Sequence, residues 1–228
     1  MFKIENKLFH FDSSFISSYP SCCFIGMDEV GRGALAGPVI ACAFTWRNNF
    51  FKSGKKKNLI KLLKDLNDSK QLTRIKRNEL FKHLVELGYY ALGYSSVLEI
   101  EKLNILNATF LAMNRAFNGL VEKYTKQVGV LDEPYLLIDG NKFNPLINCR
   151  QLPIVRGDAN SSLIASASII AKVYRDSLMF RLSKVKQFNC FGWNSNVGYG
   201  TLVHRKAIRK HGLTPLHRKL FVRKIFSS

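Results

Sequence analysis

Acidic residues recur at one kind of place in this 228-residue chain: directly after a short apolar run. Asp28 and Glu29 follow CCFIGM, Asp139 follows YLLI, and Asp158 follows IVRG just before a long helical stretch. Strand ends facing one side of a sheet are where α/β proteins build their sites. Carboxylates gathered there repel one another, and an ionised acid beside an apolar core is costly unless something compensates it. A divalent cation is the natural compensator. The five histidines and five cysteines contain no HExxH, no CxxC and no other ligand spacing. Only hard oxygen donors are on offer, which points to Mg²⁺ or Mn²⁺ and away from zinc. Each acid also has an ordinary reading. Asp28 and Asp139 suit strand-end turns, Asp158 suits an Asx-turn, and Asp68 suits a turn or helix cap. Asp176 suits a local salt bridge with Arg175 or Lys172. Spacing alone does not make four acids converge.

Gly31-Arg32-Gly33 stands directly after the acid pair. Glycines let the backbone approach a ligand and present its N–H groups, and an arginine fork suits phosphate. A tight hairpin turn would use the same residues. SGKKK (53–57) is no P-loop, because position 49 is Asn and position 56 is Lys.

The elements that must position these groups follow from periodicity. Residues 22–27 and 37–45 predict a hairpin around the turn-rich 28–36. Helices are expected over 75–87, 106–124 and 161–182, the last with a serine N-cap. Strands are expected over 89–97, 134–138 and 151–156. The first twenty residues suit an arm or short helix, 47–64 a basic insertion, and 188–200 a Gly/Asn-rich loop. Basic helices close the chain. Strands and helices alternate after the hairpin, so the class is α/β with a mixed sheet. Ala165, Ser166, Ala167, Ser168 and Ala171 give the long helix a small-residue face on which a sheet could pack closely.

In order along the chain, GMDEVGRGALAGPV (26–39), LNDSKQLT (66–73), LIDGN (137–141), GDANSSLIASASIIAKVYRD (157–176) and GYGTLVHRKAIRKHGLTPLHRKLF (198–221) resemble the type 2 ribonuclease H enzymes, specifically the bacterial ribonuclease HII family. Departures are minor: Ala34 stands where many relatives have Pro, and SASII replaces the commoner AASIL. The resemblance implies a ribonuclease H-like fold, a mixed central sheet flanked by helices. It implies one catalytic domain over 1–228, with a basic helical C-terminal segment from about 201. It implies hydrolysis of RNA in RNA–DNA hybrids, with cleavage 5′ of a ribonucleotide, including a single one embedded in DNA. On this resemblance Asp28, Glu29, Asp139 and Asp158 are the metal-binding acids. Gly31, Arg32 and Gly33 sense the ribose 2′-OH, Tyr199 packs on the sugar 3′ of the cut, and Lys70 contacts phosphate. Two metals about 3.5–4 Å apart can hold the attacking water and the leaving 3′-oxygen. Without the resemblance, Tyr199 reads as a packed loop aromatic.

Lys and Arg number 35 against 16 Asp and Glu, a formal charge of +19. A polyanion is the expected partner: an RNA–DNA hybrid duplex, or DNA containing ribonucleotides. A non-catalytic basic RNA-binding protein would share the charge, but not the acids at strand ends. The ribonuclease HIII type would lack the GRG motif and carry an extra N-terminal domain, for which 27 residues before Asp28 are too few. No apolar run reaches the roughly 18 residues of a membrane span, and no signal-peptide core is visible. Five unpatterned cysteines suit a reducing compartment. The expectation is a cytoplasmic monomer.

Overall fold

Strand β2 (Val39–Trp46) is buried at every position, so it must be covered on both faces. That requirement sets the architecture of the computed structural model, which describes residues 6–47, 64–67, 69 and 71–226. β2 pairs antiparallel with β1 (Cys23–Val30) and with β3 (Gly88–Ser95). β1 pairs parallel with β4 (Pro134–Asp139), which pairs parallel with β5 (Arg150–Ile154). The sheet is mixed, in the order β3-β2-β1-β4-β5. Preceding or linking these strands are helices α1 (Lys7–Ser18), α2 (Arg74–Leu87) and α3 (Val97–Gln127).

Strand alternation divides the core. Ile25, Met27, Val39, Ala41, Leu136 and Ile138 pack against α3. Phe24, Cys42, Phe44 and Leu137 face the other way, against α4 (Ser162–Leu182), α1 and α2. The small-residue face of α4 does what its composition predicts: Ala165, Ala167 and Ala171 are fully buried. The approach is so close that a Cβ on Gly26 of β1 would overlap the Leu163 carbonyl carbon. Ser161 caps α4, and its N-terminus receives a second anchor from a residue that periodicity does not single out. Buried Asp12 of α1 accepts bonds from the Ser162 hydroxyl and from the Leu163 amide at 3.1 Å. The C-terminal helices α5 (Trp193–Asn196), α6 (Leu202–His211) and α7 (Lys219–Phe226) close on the end of α4. Trp193, Phe191, Ile208 and Val222 bury Met179 and Ala36 there.

Several expectations change. The segment expected as a loop holds a 3₁₀ turn (Asn189–Phe191) and helix α5, and the strand expected to reach 97 ends at Ser95. β1 runs through Val30, so Asp28 and Glu29 are inside the strand rather than in the turn after it. The ladder with β2 continues to Val30↔Ile40 because the turn is confined to the residues beyond. The second helix begins at Val97, not 106, because Ser96 and Glu99 form a reciprocal capping box. Asn104 breaks it at φ 67° and restarts it by accepting from the Leu106 and Asn107 amides. β5 stops at Ile154, two residues early, as Arg156 turns to φ 55°. Of the basic insertion, 48–63 lie outside the described residues.

Candidate functional site

Register brings the first two acids together. Met27 of β1 lies opposite Ile138 of β4, so Asp28 and Asp139 are the next neighbours on parallel strands, both on the α4 side. Asp139 accepts a 2.7 Å bond from the Gly157 amide. Asp158 is the following residue, in a short 3₁₀ turn (Gly157–Ala159), and is buried. The turn that carries Asp158 is therefore fastened to Asp139. Glu29 lies next to Asp28, and its amide donates to Asp28 Oδ1 at 2.7 Å.

The electrostatics are those of a crowded acid cluster. Burial pushes the Asp28 carboxyl well above its ordinary range, and the charges of Glu29 and Asp139 push further. Burial raises Glu29 as well, against the pull of Arg32, whose Nη1 lies 3.1 Å from Glu29 Oε1. A cleft of about 290 Å³ opens onto these acids, lined by Asp28, Glu29, Val30, Ser69, Ser168, Lys172 and Tyr199. A larger apolar groove of about 480 Å³ around Ile40, Leu92 and Leu178 contains no carboxylate.

The donor set tests the expected metal. Four carboxylates suit a hard divalent cation, and their mutual repulsion is what such an ion relieves; Cys42 lies opposite Asp28 on β2, where burial pushes its thiol pKa up and keeps it from competing as a thiolate. As placed, no three metal-ligating side chains among the described residues close to coordination distance. Asp28 and Glu29 line the cleft, Asp139 stands beside Asp28, and Asp158 is reached through Gly157.

The two glycines of GRG have different tasks. Gly31 has φ +94°, and a Cβ there would overlap the Arg175 guanidinium, whereas Gly33 faces open space. Tyr199 is half-buried. Arg175 and Lys172 lie 5.4 and 5.8 Å from its ring centre. Asp176 pairs with Lys172 at 2.9 Å and with Arg77 at 3.8 Å, the local role expected, but Arg175 does not join it. Lys70 lies outside the described residues. Sequence reasoning passed over Ser69, Ser168 and Lys172 as cleft residues. Ser168 and Lys172 are four apart on α4, a spacing that puts them on one face.

A mixed five-stranded sheet with crowded acids on adjoining strands is the arrangement of the ribonuclease H fold. The same fold occurs in the Archaeoglobus fulgidus RNase HII solved in complex with PCNA, at TM-score 0.61 and 21% identity, covering 86% of this chain and 93% of that one. It occurs in Bst-RNase HIII in complex with Mn²⁺, at TM-score 0.68 and 19% identity, covering 91% and 70%. The sequence model of the Ribonuclease HII family matches residues 25–227. Ribonuclease HII of Pelagibacter ubique is 45% identical over 196 residues, 86% of this chain and 94% of that one. That of Fusobacterium nucleatum is 41% identical over 227 residues, 99% and 94%. The chain belongs to the ribonuclease HII family, and it is a metal-dependent endoribonuclease acting on RNA–DNA hybrids.

Proposed function

We propose that this enzyme cuts on the 5′ side of a ribonucleotide, including a single one embedded in duplex DNA, with Mg²⁺ or Mn²⁺ held by Asp28, Glu29, Asp139 and Asp158. The observation that carries this reading is one small cleft lined by acids of β1 and by Tyr199. Bound divalent ions would supply an activated water and neutralise charge on the phosphoryl transition state. The chain's own residues do the rest. The four acids concentrate negative charge where burial makes a cation the favourable partner. The loop at Gly33, an exposed residue with open space where a side chain would stand, tests for the 2′-OH, the feature that separates ribose from deoxyribose. Tyr199 packs on the sugar that follows. The Glu29–Arg32 pair ties the acid cluster to the sensing loop. Lys172 and Lys70 meet phosphate. The basic surface holds the duplex without reading its bases.

All these groups come from one chain and one domain, which supports a monomer. The five cysteines are unpaired, in keeping with the cytoplasm. Among the described residues no helix is long and apolar enough to cross a membrane. The test is incubation with a duplex carrying one ribonucleotide, with and without Mg²⁺ or Mn²⁺, followed by mapping of the product ends. Metal-dependent ends 5′ of the ribose are expected; no cleavage of that duplex would defeat the reading.

A further inference from the structure

Two arginines, Arg175 of α4 and Arg218 before α7, are fully buried, and neither meets a carboxylate at ion-pair distance among the described residues. Buried arginines ordinarily keep an acid for company. These two donate only to backbone carbonyls. Arg175 reaches Pro38 O at 3.1 Å, Val197 O at 2.9 Å and Ala36 O at 3.0 Å. Arg218 reaches Arg32 O at 2.8 Å and Gly37 O twice, at 3.0 and 2.8 Å. Burial pushes both guanidinium pKa values down, and the charge of Arg175 pushes Arg218 further, so holding both cations here costs stability. An apolar side chain of similar volume would cost less. What it would not do is fix the separation of carbonyls, on two loops for Arg175 and at the two ends of one loop for Arg218, which a planar fork of donors does.

The loops so fixed are the two that carry the sensing residues. One is the stretch from Arg32 to Pro38, next to Gly31 and Gly33; the other is the turn from Val197 to Tyr199. The backbone supplies a parallel tie, from the Leu35 amide to Gly198 O at 2.8 Å. Arg175 also fills the space a Gly31 side chain would need and lies against the Tyr199 ring. On α4 it follows Ser168 and Lys172 at helical spacing, so one rigid helix bears on both the acid cleft and the sensing loops.

We infer that Arg175 and Arg218 are positioning residues, Arg218 holding the shape of the Gly31-Arg32-Gly33 loop and Arg175 holding that loop and the Tyr199 turn at one separation, and that together they set the preference for a lone ribose over a continuous ribose strand. The inference rests on the sensing role proposed for those loops.

Arg218→Lys is the sharp variant. An ammonium keeps the charge and still reaches Gly37 O, but it cannot also span to Arg32 O. Cleavage is measured on a single-ribonucleotide duplex and on a uniform RNA–DNA hybrid of the same sequence, with thermal melting to show that the variant folds and with Tyr199→Ala as reference. The ratio of the two rates is expected to fall about tenfold or more, in kcat rather than KM, because a small misplacement of a positioned group costs that much. A general loss of stability would lower both rates together, and an unchanged ratio in Arg218→Lys overturns the inference. If Tyr199→Ala also leaves the ratio unchanged, the sensing reading itself fails. Should Arg218→Lys not fold, the wild type answers by NMR with Ca²⁺ in place of the active metal. The Nε–H signals of Arg175 and Arg218 should shift on adding the single-ribonucleotide duplex and not on adding all-DNA duplex of the same sequence. Signals that respond alike to both overturn the inference.

Discussion

Asp139 shows what one carboxylate contributes beyond its charge. Its Oδ1 accepts the Gly157 amide, and an asparagine oxygen can accept the same bond. Asp139→Asn should therefore keep the fold, relieve the repulsion felt by Asp28, and abolish cleavage. Wild-type turnover in that variant would remove Asp139 from the site. Mn²⁺ should raise the melting temperature of the wild type, since it binds only the folded state, and raise that of Asp139→Asn less. Tyr199 tests recognition rather than chemistry. Tyr199→Ala should lose far more cleavage of a single embedded ribonucleotide than duplex affinity, because the basic surface remains. A parallel loss of binding and cleavage would show that the ring does not read the junction. At this scale the acids stood out as residue types in a telling context, and Tyr199 only through the family resemblance. Ser168 and Lys172 were not, because nothing in a helical sequence says which face meets a cleft.

Helix α4 joins the two halves of the site, and its burial makes it sensitive. Ala167 has no solvent exposure, so Ala167→Leu should overpack the contact with the sheet and cost about 1–3 kcal/mol in chemical denaturation. The N-terminal anchor gives a pH prediction. Burial raises Asp12 from an ordinary 3.8 to about 6, while bonds from Ser162, Ser161 and Leu163 pull it back. The folded state then holds a proton between those values that the unfolded chain has lost, so this group's contribution to stability falls as pH rises from about 4 to 6. Asp12→Asn should gain on the wild type across that window, by on the order of 3 kcal/mol at most. A difference in stability that does not change with pH would contradict the burial of an acid there. Periodicity found α4 to within a residue because its apolar and small residues are continuous. It missed the start of α3 because the capping Ser96 closes β-rich YYALGYSS, which reads as strand.

For the molecule as a whole, a charge of +19 around a cleft lined by buried acids separates duplex affinity from chemistry. Removing divalent metal should stop cleavage and leave duplex binding in place. That binding should weaken about 10³–10⁵-fold between 50 and 200 mM salt if six to ten phosphates are neutralised. Binding indifferent to salt would mean that the basic surface is not the docking face. A purely RNA-binding role accounts for the charge but not for buried like-charged carboxylates on adjoining strands, an arrangement that costs stability unless a cation is meant to enter. The sequence by itself determined the class of fold, the order of most elements and the family, and it offered the acids as candidates. Those depend on local periodicity and on short motifs whose residue types are chemically constrained, and backbone shape alone does not separate the ribonuclease H branches as those motifs do. Tertiary structure decided what depends on distance across the chain. Strand register put Asp28 beside Asp139, the Gly157 amide tied the Asp158 turn to it, and Arg175 and Arg218 joined loops more than a hundred residues apart. A buried fork bonded to carbonyls leaves no mark on sequence, because its partners are main-chain atoms that every residue has.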